Sequence, residues 1–219
     1  MAVDLRLYAV VDPERAGGRR LADLSGLISA GATLVQLRDK HGATRAMIEE
    51  ARAIRAALAS LRVPLLINDR VDVALAAQAD GVHIGQDDMA AADARRLLGR
   101  DAIIGLSLKT VAQAQAAPIE QLDYVAIGGV FATQSKDNPD PPVGLAGLRT
   151  ILAAVRARAP TMLVVAIAGI DAGNAADVIA AGADGIAVIS ALSLAPDPAE
   201  AARTLRGIVD AALARRGRR

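Results

Sequence analysis

The sequence predicts an α/β protein built as a single (β/α)8 barrel, the TIM barrel, and three observations lead to this fold. Short apolar segments alternate with amphipathic helical segments along the chain. The apolar segments are nearly continuous, which is typical of parallel strands that are covered on both faces. The length of 219 residues suits one barrel of about 250 residues or slightly fewer and leaves no room for a second large domain.

The predicted strands are eight short apolar segments, at residues 7–11, 34–37, 65–67, 81–84, 102–106, 124–127, 163–167 and 185–189. Apolar stripes at helical spacing lie between or after them, and three of these stripes are Met47, Ala51, Ile54, Leu58 and Leu61; Leu145, Leu148, Ile151, Leu152 and Val155; and Leu205, Ile208, Val209 and Leu213. Alternation alone also fits a doubly wound open sheet. The motif ADGV at 79–82 returns as ADGI at 183–186, about half the chain later, which favours two four-strand halves of a barrel. Chance repetition in a chain rich in Ala and Gly is the alternative.

Composition excludes several classes of protein. Hydrophobic residues make up 53% of the chain and aromatic residues only 1%, so we expect a core of Leu, Ile, Val and Ala and no base-stacking surface for nucleic acid. The absence of cysteine excludes a disulfide framework, a thiol nucleophile and a Cys-ligated metal. Asp4 and Arg6 interrupt the first apolar stretch, and no apolar run is long enough for a membrane span. We therefore expect a cytoplasmic protein that binds small molecules and not membranes.

No low-complexity linker divides the chain, so residues 1–214 are predicted to form one catalytic barrel domain followed by a basic tail at 215–219. We expect that tail to be a frayed, solvated helix end without a role. The formal net charge is only +1, which argues against a polyanion-binding body. The longest irregular stretch, residues 131–144, contains three prolines and is predicted to be a mobile lid that closes on the substrate through Lys136. Assembly into a homo-oligomer is left open.

Polar side chains follow the predicted strands at the end where barrel enzymes carry their chemistry. Alternate positions after the second strand begins carry Gln36, Arg38 and Lys40. Because alternate residues of a strand point to the same face, we expect all three to point to the barrel mouth. Arg offers a planar two-pronged donor and Lys a mobile point charge, a combination that suits phosphate oxygens. An ordinary solvated surface is the alternative for the two cations. Later strands are followed by further polar residues, namely Asn68, Ser107, Thr133, Ser135 and Lys136.

Asp69 and Asp88 follow neighbouring predicted strands, so their carboxylates are expected to converge on one hard cation. Magnesium is the candidate, because it is commonly held by one or two carboxylates together with substrate phosphates and water. For Asp69 the alternative is a loop or helix-cap carboxylate. For Asp88 the alternative is an N-cap of a helix that begins near Met89.

Small residues near the last two strands predict a phosphate site. Gly169 ends the seventh strand before Asp171 and Asn174 open a helix, and Ser190 follows the eighth strand. Small residues let backbone amides approach an anion, and barrels frequently bind phosphate at these two loops. Ordinary turn and packing glycines are the alternative.

No catalytic triad is predicted. His83 lies within the fourth strand, and no acid or nucleophile partner stands near it in the sequence. We expect His83 to be a buried, hydrogen-bonded core histidine and not a base or metal ligand. His41 lies in the loop after the second strand and is given no role.

Together these segments resemble the thiamine-phosphate synthase family from residue 7 to residue 192. The matching segments, in chain order, are VQLRDK at 35–40, LLINDRVDVALAAQADGVHIGQDDM at 65–89, GLS at 105–107, DYVAIGGVFATQSK at 123–136, AIAGI at 166–170 and GADGIAVISAL at 182–192. The resemblance implies an enzyme that joins a hydroxymethylpyrimidine diphosphate to a thiazole phosphate, with magnesium, and forms thiamine phosphate and pyrophosphate. It further implies a dissociative substitution through a pyrimidine-stabilised carbocation, with no protein nucleophile.

Position by position, the resemblance implies a role for each candidate residue. Gln36 and Asn68 would hold the pyrimidine, and Asp69 and Asp88 the magnesium. The residues implied to contact the pyrophosphate, including the leaving group, are Arg38, Lys40, Asn68, Ser107 and Lys136. Those implied to cradle the thiazole phosphate are Thr133, Ser135, Gly169, Ile189 and Ser190.

Two positions depart from the family pattern: Lys109 stands where the family usually has His, and Ala168 stands where it usually has Gly. Ala168 adds a methyl group to a tight phosphate cup, and Lys109 either adds an anion contact or points to solvent. Two other readings compete with the synthase. A related thiazole tautomerase shares the barrel but makes no use of the diphosphate, and Lys109 argues against it. A non-catalytic sensor of the thiamine pathway would keep ligand binding without turnover.

Overall fold

Eight buried strands alternate with helices in the computed structural model, which describes residues 3–133 and 141–217. The strands within these ranges are β1 (Leu7–Val11), β2 (Leu34–Leu37), β3 (Leu65–Asn68), β4 (Gly81–Ile84), β5 (Ile103–Leu108), β6 (Tyr124–Ile127), β7 (Leu163–Ile167) and β8 (Gly185–Val188). The helices in the same ranges are α1 (Leu21–Ile28), α2 (Thr44–Leu58), α3 (Val71–Ala77), α4 (Ala91–Leu98), α5 (Val111–Ala116), α6 (Gly144–Arg158), α7 (Ala175–Ala180), α8 (Ser190–Ser193) and α9 (Pro198–Arg216). Short 3-10 turns occupy Pro13–Arg15 and Ile119–Gln121.

The strands close into a parallel barrel in chain order, which confirms the predicted fold and excludes the open sheet. Closure is made by β1 and β8, where Leu7 pairs with Ile186. The ends of β5 and β8 differ slightly from the prediction. Strand β5 continues past its apolar run because Ser107 and Leu108 pair with Ala126 and Ile127 of β6, whereas β8 ends one residue early, at Val188.

The core has two parts, separated by the strands. The larger lies between the barrel and the surrounding helices, and a smaller cluster that includes Tyr8, Leu34, Leu66 and Tyr124 occupies the barrel interior. This division follows from the alternation of side chains along each strand, because successive residues point to opposite faces.

The helical stripes are largely confirmed. Met47, Ala51, Ile54 and Leu58 are all buried against the barrel. Leu61 was predicted to extend that stripe but is 49% exposed, because α2 ends at Leu58 and the chain turns away from the core.

The repeated ADG motif has a structural cause at the N-terminal ends of the strands. Backbone N–H groups of Leu65 and Val164 donate to the carboxylates of Asp80 and Asp184, at 2.8 Å and 2.9 Å. Glycines 81 and 185 follow these aspartates, and a Cβ atom there would overlap the backbone carbonyl of Ile103 in β5 or of Leu5, two residues before β1. Asp123 repeats the contact with the N–H of Ile104 at 2.8 Å. We call Asp80, Asp123 and Asp184, with the strand N–H groups that they accept, the carboxylate latches.

The C-terminal helix differs from the expectation of a frayed end. Helix α9 continues to Arg216, so the predicted boundary after residue 214 falls inside it. Arg216 pairs with Asp184 at 2.8 Å, which ties the last turn to a carboxylate latch. Arg218 and Arg219 lie outside the described residues. Across the part of the chain that the structure describes, no helix combines the length and apolarity needed to cross a membrane.

Candidate active site

Arg38 reaches the barrel mouth and is held there by a carboxylate from the first strand. Asp12 follows β1, has only 2% of its surface exposed, and forms an ion pair with the Arg38 guanidinium. The second carboxylate oxygen of Asp12 accepts from the N–H of Glu14 at 2.9 Å. Asp12 therefore fixes the direction of Arg38. Sequence reasoning did not single out Asp12, although its position directly after an apolar strand was a usable signal.

Lys40 and Asn68 both bind the carboxylate of Asp69. The Lys40 ammonium pairs with Asp69 Oδ2, and Asn68 Nδ2 donates to the same oxygen at 2.7 Å. Asn68 and Gln36 are both buried at the ends of their strands, with amide groups at the inner side of the mouth. The structure thus brings together three of the residues that the sequence predicted, Lys40, Asn68 and Asp69, and places Gln36 on the strand that pairs with β3.

The carboxyl groups of Asp69 and Asp88 lie close enough to interact. Burial and the neighbouring Asp88 carboxyl raise the pKa of Asp69, and the Lys40 ammonium opposes this rise. Asp69 has φ of +61°, a left-handed conformation that is strained for a residue with a side chain. Such strain at a convergent polar site is typical of a functional residue, although packing alone also produces it.

Neither aspartate caps a helix. Helix α4 begins at Ala91, and the Asp88 carboxylate accepts instead from the N–H of Gly85 at 2.7 Å. Helix α3 begins at Val71 without a side-chain cap. No group of three or more His, Asp or Glu residues able to bind a metal occurs among the described residues. Two adjacent carboxylates nevertheless fit magnesium, which keeps several water ligands and takes others from substrate phosphates.

A chain of hydrogen bonds crosses the barrel beneath these groups. It begins at Gln36, whose amide donates to the Tyr8 hydroxyl, and continues to Tyr124, whose hydroxyl lies 3.0 Å from that of Tyr8. Nδ1 of His83 is 2.9 Å from the Tyr124 hydroxyl, and Nε2 is 2.8 Å from Ser107 Oγ. The chain therefore joins two predicted substrate contacts, Gln36 and Ser107, through side chains that make no predicted contact themselves.

All members of this hydrogen-bond chain except the half-buried Ser107 are buried, and His83 is confirmed as a hydrogen-bonded core histidine. Burial raises the pKa of Tyr8 and of Tyr124 well above the usual value for a tyrosine, so both remain protonated. If Tyr124 donates to Tyr8, then Nδ1 of His83 donates to Tyr124 and Nε2 accepts from Ser107. Sequence reasoning missed both tyrosines. The structure shows the space that Tyr124 needs, because a Cβ atom at Gly105, its partner on β5, would overlap the Tyr124 ring.

A cavity of about 480 Å³ opens beside the ends of β7 and β8. Its walls include four residues predicted for the thiazole phosphate: Thr133, Gly169, Ile189 and Ser190. Arg15, which the sequence reasoning did not consider, also lines it. The predicted residues Ser135 and Lys136, and with them half of the predicted lid, lie outside the described residues.

The loop after β7 has two consecutive left-handed residues, Ala168 with φ of +92° and Gly169 with φ of +64°. The Ala168 carbonyl accepts from the N–H of Phe131 at 3.0 Å, and a Cβ atom at Gly169 would crowd Phe131 and the Ala132 carbonyl. This close approach requires glycine at 169. Asn174 Nδ2 donates to the Gly169 carbonyl at 2.9 Å and holds the loop from the other side.

Lys109, the other departure from the family pattern, lies directly after β5. Its backbone N–H donates to the Gln113 side chain at 2.6 Å, next to the capping box that Thr110 and Gln113 form at the start of α5. The backbone at this position is thus fixed by the helix that follows.

Comparisons with known proteins all point to one family. A family model described as thiamine monophosphate synthase matches residues 7–192. The chain is 55% identical over 213 residues to a thiamine-phosphate synthase of Agrobacterium fabrum, with 96% of each protein covered. It is 49% identical over 208 residues to one from Chloroflexus aurantiacus, with 94% of each covered. A solved structure of thiamine phosphate pyrophosphorylase from Pyrococcus furiosus superposes with a TM-score of 0.83 at 36% identity, covering 96% of this chain and 98% of that one.

Proposed function

This chain belongs to the thiamine monophosphate synthase family and is a transferase, and from that premise we propose how its barrel mouth carries out the reaction. The proposed substrates are 4-amino-2-methyl-5-hydroxymethylpyrimidine diphosphate and a thiazole phosphate. The products are thiamine phosphate and pyrophosphate. The observation that carries the proposal is the close approach of the Asp69 and Asp88 carboxyl groups beside Lys40, above buried amides that suit a heterocycle.

The pyrimidine is proposed to lie on Gln36 and Asn68. Both side chains are buried and have amide groups that can donate to and accept from ring nitrogens and an exocyclic amine. Tyr8 holds the Gln36 amide in place from below, so the amide is oriented before the substrate arrives. Such preorganisation lowers the ordering cost of binding.

The diphosphate is proposed to lie above the pyrimidine, between Arg38 and Lys40. Arg38 is directed by Asp12, and Lys40 would turn from Asp69 to phosphate oxygens when the metal takes that carboxylate. Asp69 and Asp88 would hold the magnesium ion. A bound magnesium ion would supply positive charge to the oxygens of the pyrophosphate. Lys136, in the family position for a further pyrophosphate contact, belongs to this proposal on sequence alone.

The reaction is proposed to be a dissociative substitution. The bond between the pyrimidine methylene carbon and the pyrophosphate oxygen breaks first, and the electron pair leaves with the oxygen. The thiazole nitrogen then donates its lone pair to the carbocation and forms the new C–N bond. Arg38, Lys40 and Ser107 would stabilise the charge that develops on the leaving group, and no protein nucleophile is needed.

Thiazole phosphate is proposed to occupy the cavity beside β7 and β8. Thr133, Gly169, Ile189 and Ser190 line it, and its small residues allow a phosphate to approach the backbone. Ser135 is added to this group from the sequence resemblance. The two substrates would then meet at the centre of the mouth.

The test is a product assay with the purified chain, both substrates and magnesium. We expect thiamine phosphate and pyrophosphate in equal amounts, and neither product when one substrate or magnesium is omitted. Ligand binding without either product would contradict the proposal and support the sensor alternative.

A further inference from the structure

We propose that Arg15 binds the phosphate group of the thiazole substrate and thereby sets the preference of the cavity beside β7 and β8 for a phosphorylated ligand. This inference rests on the proposed function. It adds to the cavity a cationic residue from a different part of the barrel, the connection between β1 and α1.

Arg15 ends the 3-10 turn Pro13–Arg15, and its backbone N–H donates to the Asp12 carbonyl at 2.9 Å. Strand β1 pairs directly with β8, so this connection lies next to the start of α8 at Ser190. Arg19 ties the two segments together, because its guanidinium donates to the carbonyls of Ser193 and Ala195 at 3.1 Å and 3.3 Å. The position of Arg15 over the cavity is therefore fixed by the fold.

The Nε atoms of Arg15 and Arg156 are both buried without a hydrogen-bond partner among the described residues, but Arg156 still pairs with Asp184 through Nη2 at 2.8 Å. No ion pair or side-chain hydrogen bond of Arg15 is found within residues 3–133 and 141–217, although most partly buried arginines of the barrel have one. Arg38, Arg95 and Arg156, for example, each pair with an aspartate. A buried donor without an acceptor is costly, and a ligand that supplies the acceptor explains why it persists.

Charged side chains are few among the described residues of the cavity wall. Among the described residues that line it, Arg15 is the one cation, and Asp171 is the one anion. The Asp171 carboxylate accepts from the N–H of Gly173 at 2.8 Å, within its own loop. A phosphate monoester carries close to two negative charges at neutral pH, and glycine and serine contacts alone leave that charge uncompensated. An arginine fork supplies both charge and paired donors.

The experiment compares Arg15→Gln with Arg20→Gln. Arg20 is an exposed arginine on the same connection, makes no hydrogen bond through its side chain and does not line the cavity. We expect Arg15→Gln to raise the KM for thiazole phosphate about 10-fold to 100-fold, the usual effect of losing a charged hydrogen bond. The KM for the pyrimidine diphosphate should stay within about twofold of that of Arg20→Gln, since the lost contact lies outside its site.

A second measurement separates phosphate binding from a structural role. Calorimetric affinities for thiazole phosphate and for the unphosphorylated thiazole alcohol are compared in both variants and in Arg15→Lys. We expect Arg15→Gln to weaken the binding of thiazole phosphate but not of the alcohol. Arg15→Lys should retain part of the preference for the phosphorylated ligand. Equal behaviour of Arg15→Gln and Arg20→Gln, or equal weakening of phosphate and alcohol, would overturn the inference.

The outcomes also distinguish this inference from the proposed function. A wild-type chain that binds thiazole phosphate but forms no product contradicts the synthase proposal, while the comparison of phosphate with alcohol still tests Arg15. Product formation with unchanged KM values in Arg15→Gln contradicts only the role of Arg15. Thermal unfolding of each variant identifies any that fails to fold, and Arg15→Lys, which keeps the charge, then decides the question.

Discussion

At the scale of single residues, the carboxylate pair of Asp69 and Asp88 combines several energetically unfavourable features at the barrel mouth. Asp69 is partly buried, adopts a left-handed conformation and lies close to a second carboxyl, and the Lys40 ammonium offsets the negative charge. Each of these features disfavours the folded state in isolation. Their coexistence is explained if a cation joins them during the reaction.

The first prediction concerns Asp88→Asn, which removes one negative charge but keeps an acceptor for the Gly85 N–H. We expect the magnesium concentration that gives half-maximal product formation to rise at least about tenfold, as is usual when a metal site loses a ligand. Metal-free stability should stay equal or increase, because repulsion with Asp69 is relieved. Magnesium titration and thermal unfolding are the measurements. Asp87→Asn, at the neighbouring exposed position, is the control, and an Asp88→Asn variant with an unchanged magnesium response would rule out the site.

The second prediction concerns Tyr124→Phe, which removes the middle of the hydrogen-bond chain. His83 and Tyr8 would each lose a buried partner, so we expect a loss of about 1 to 3 kcal/mol in the free energy of unfolding. Ser107 would lose its orientation, so kcat should fall while the KM for thiazole phosphate stays near that of the wild type. Urea unfolding and steady-state kinetics check both parts, and a Tyr8→Phe variant serves as comparison.

The two tyrosines of this hydrogen-bond chain also predict that the free energy of unfolding decreases at alkaline pH. Tyr8 and Tyr124 stay protonated in the fold, whereas in the unfolded chain each ionises near its ordinary pKa of 10.0. Their contribution is therefore complete below that pH and is lost as pH rises above it. Comparing urea unfolding at about pH 8 and about pH 10.5 should give a smaller decrease for Tyr124→Phe than for the wild type. Equal decreases would show that the folded tyrosines titrate normally.

At the scale of elements, the loop after β7 shows how a strained backbone shapes a binding cavity. Ala168 and Gly169 both have positive φ, but only the glycine avoids a steric cost. The loop is held in this shape by Phe131 on one side and Asn174 on the other. Ala168 thus has a backbone conformation that glycine would adopt more readily.

The third prediction compares two substitutions in that loop. Ala168→Gly should leave stability unchanged or raise it by about 1 kcal/mol, because relief of strain outweighs the greater entropy of glycine in the unfolded chain. Gly169→Ala should lower stability and weaken the binding of thiazole phosphate, since the added methyl group meets Phe131 and Ala132. Thermal unfolding and the KM for thiazole phosphate separate the two. A Gly169→Ala variant as stable as the wild type would contradict the crowding seen here.

At the scale of the whole molecule, periodicity predicted alternating strands and helices, and the ADG repeat then favoured a barrel over an open sheet. Parallel strands covered on both faces leave a clear signature in sequence, and the ADG repeat marks contacts at the barrel's N-terminal face. Position relative to strand ends also predicted that Asp69 would meet Asp88. The limits of prediction lay in contacts between distant strands. Nothing in local sequence indicates that Tyr124 meets Tyr8 across the barrel, or that Arg15 lies beside Ser190.

The fourth prediction concerns the carboxylate latch at Asp184, which accepts from the Val164 N–H and pairs with Arg156 and Arg216. We expect Asp184→Ala to lower the free energy of unfolding by at least about 2 kcal/mol, because it leaves a strand N–H and two partly buried cations without their acceptor. The KM values should change little. Asp101→Ala, whose ion pair with Arg100 is almost fully exposed, should stay within about 0.5 kcal/mol of the wild type.

The carboxylate latches lie at the face of the barrel opposite to the candidate active site. Each joins the start of one strand to the residue before the next, so these contacts stiffen the face that lies away from that site. Residues at the mouth are then free to change without weakening the closure of the sheet. That separation accounts for how this chain accommodates a lysine after β5 and an alanine after β7 within an otherwise intact barrel. It also makes the mouth the place where new substrate preferences can be engineered at least risk to folding.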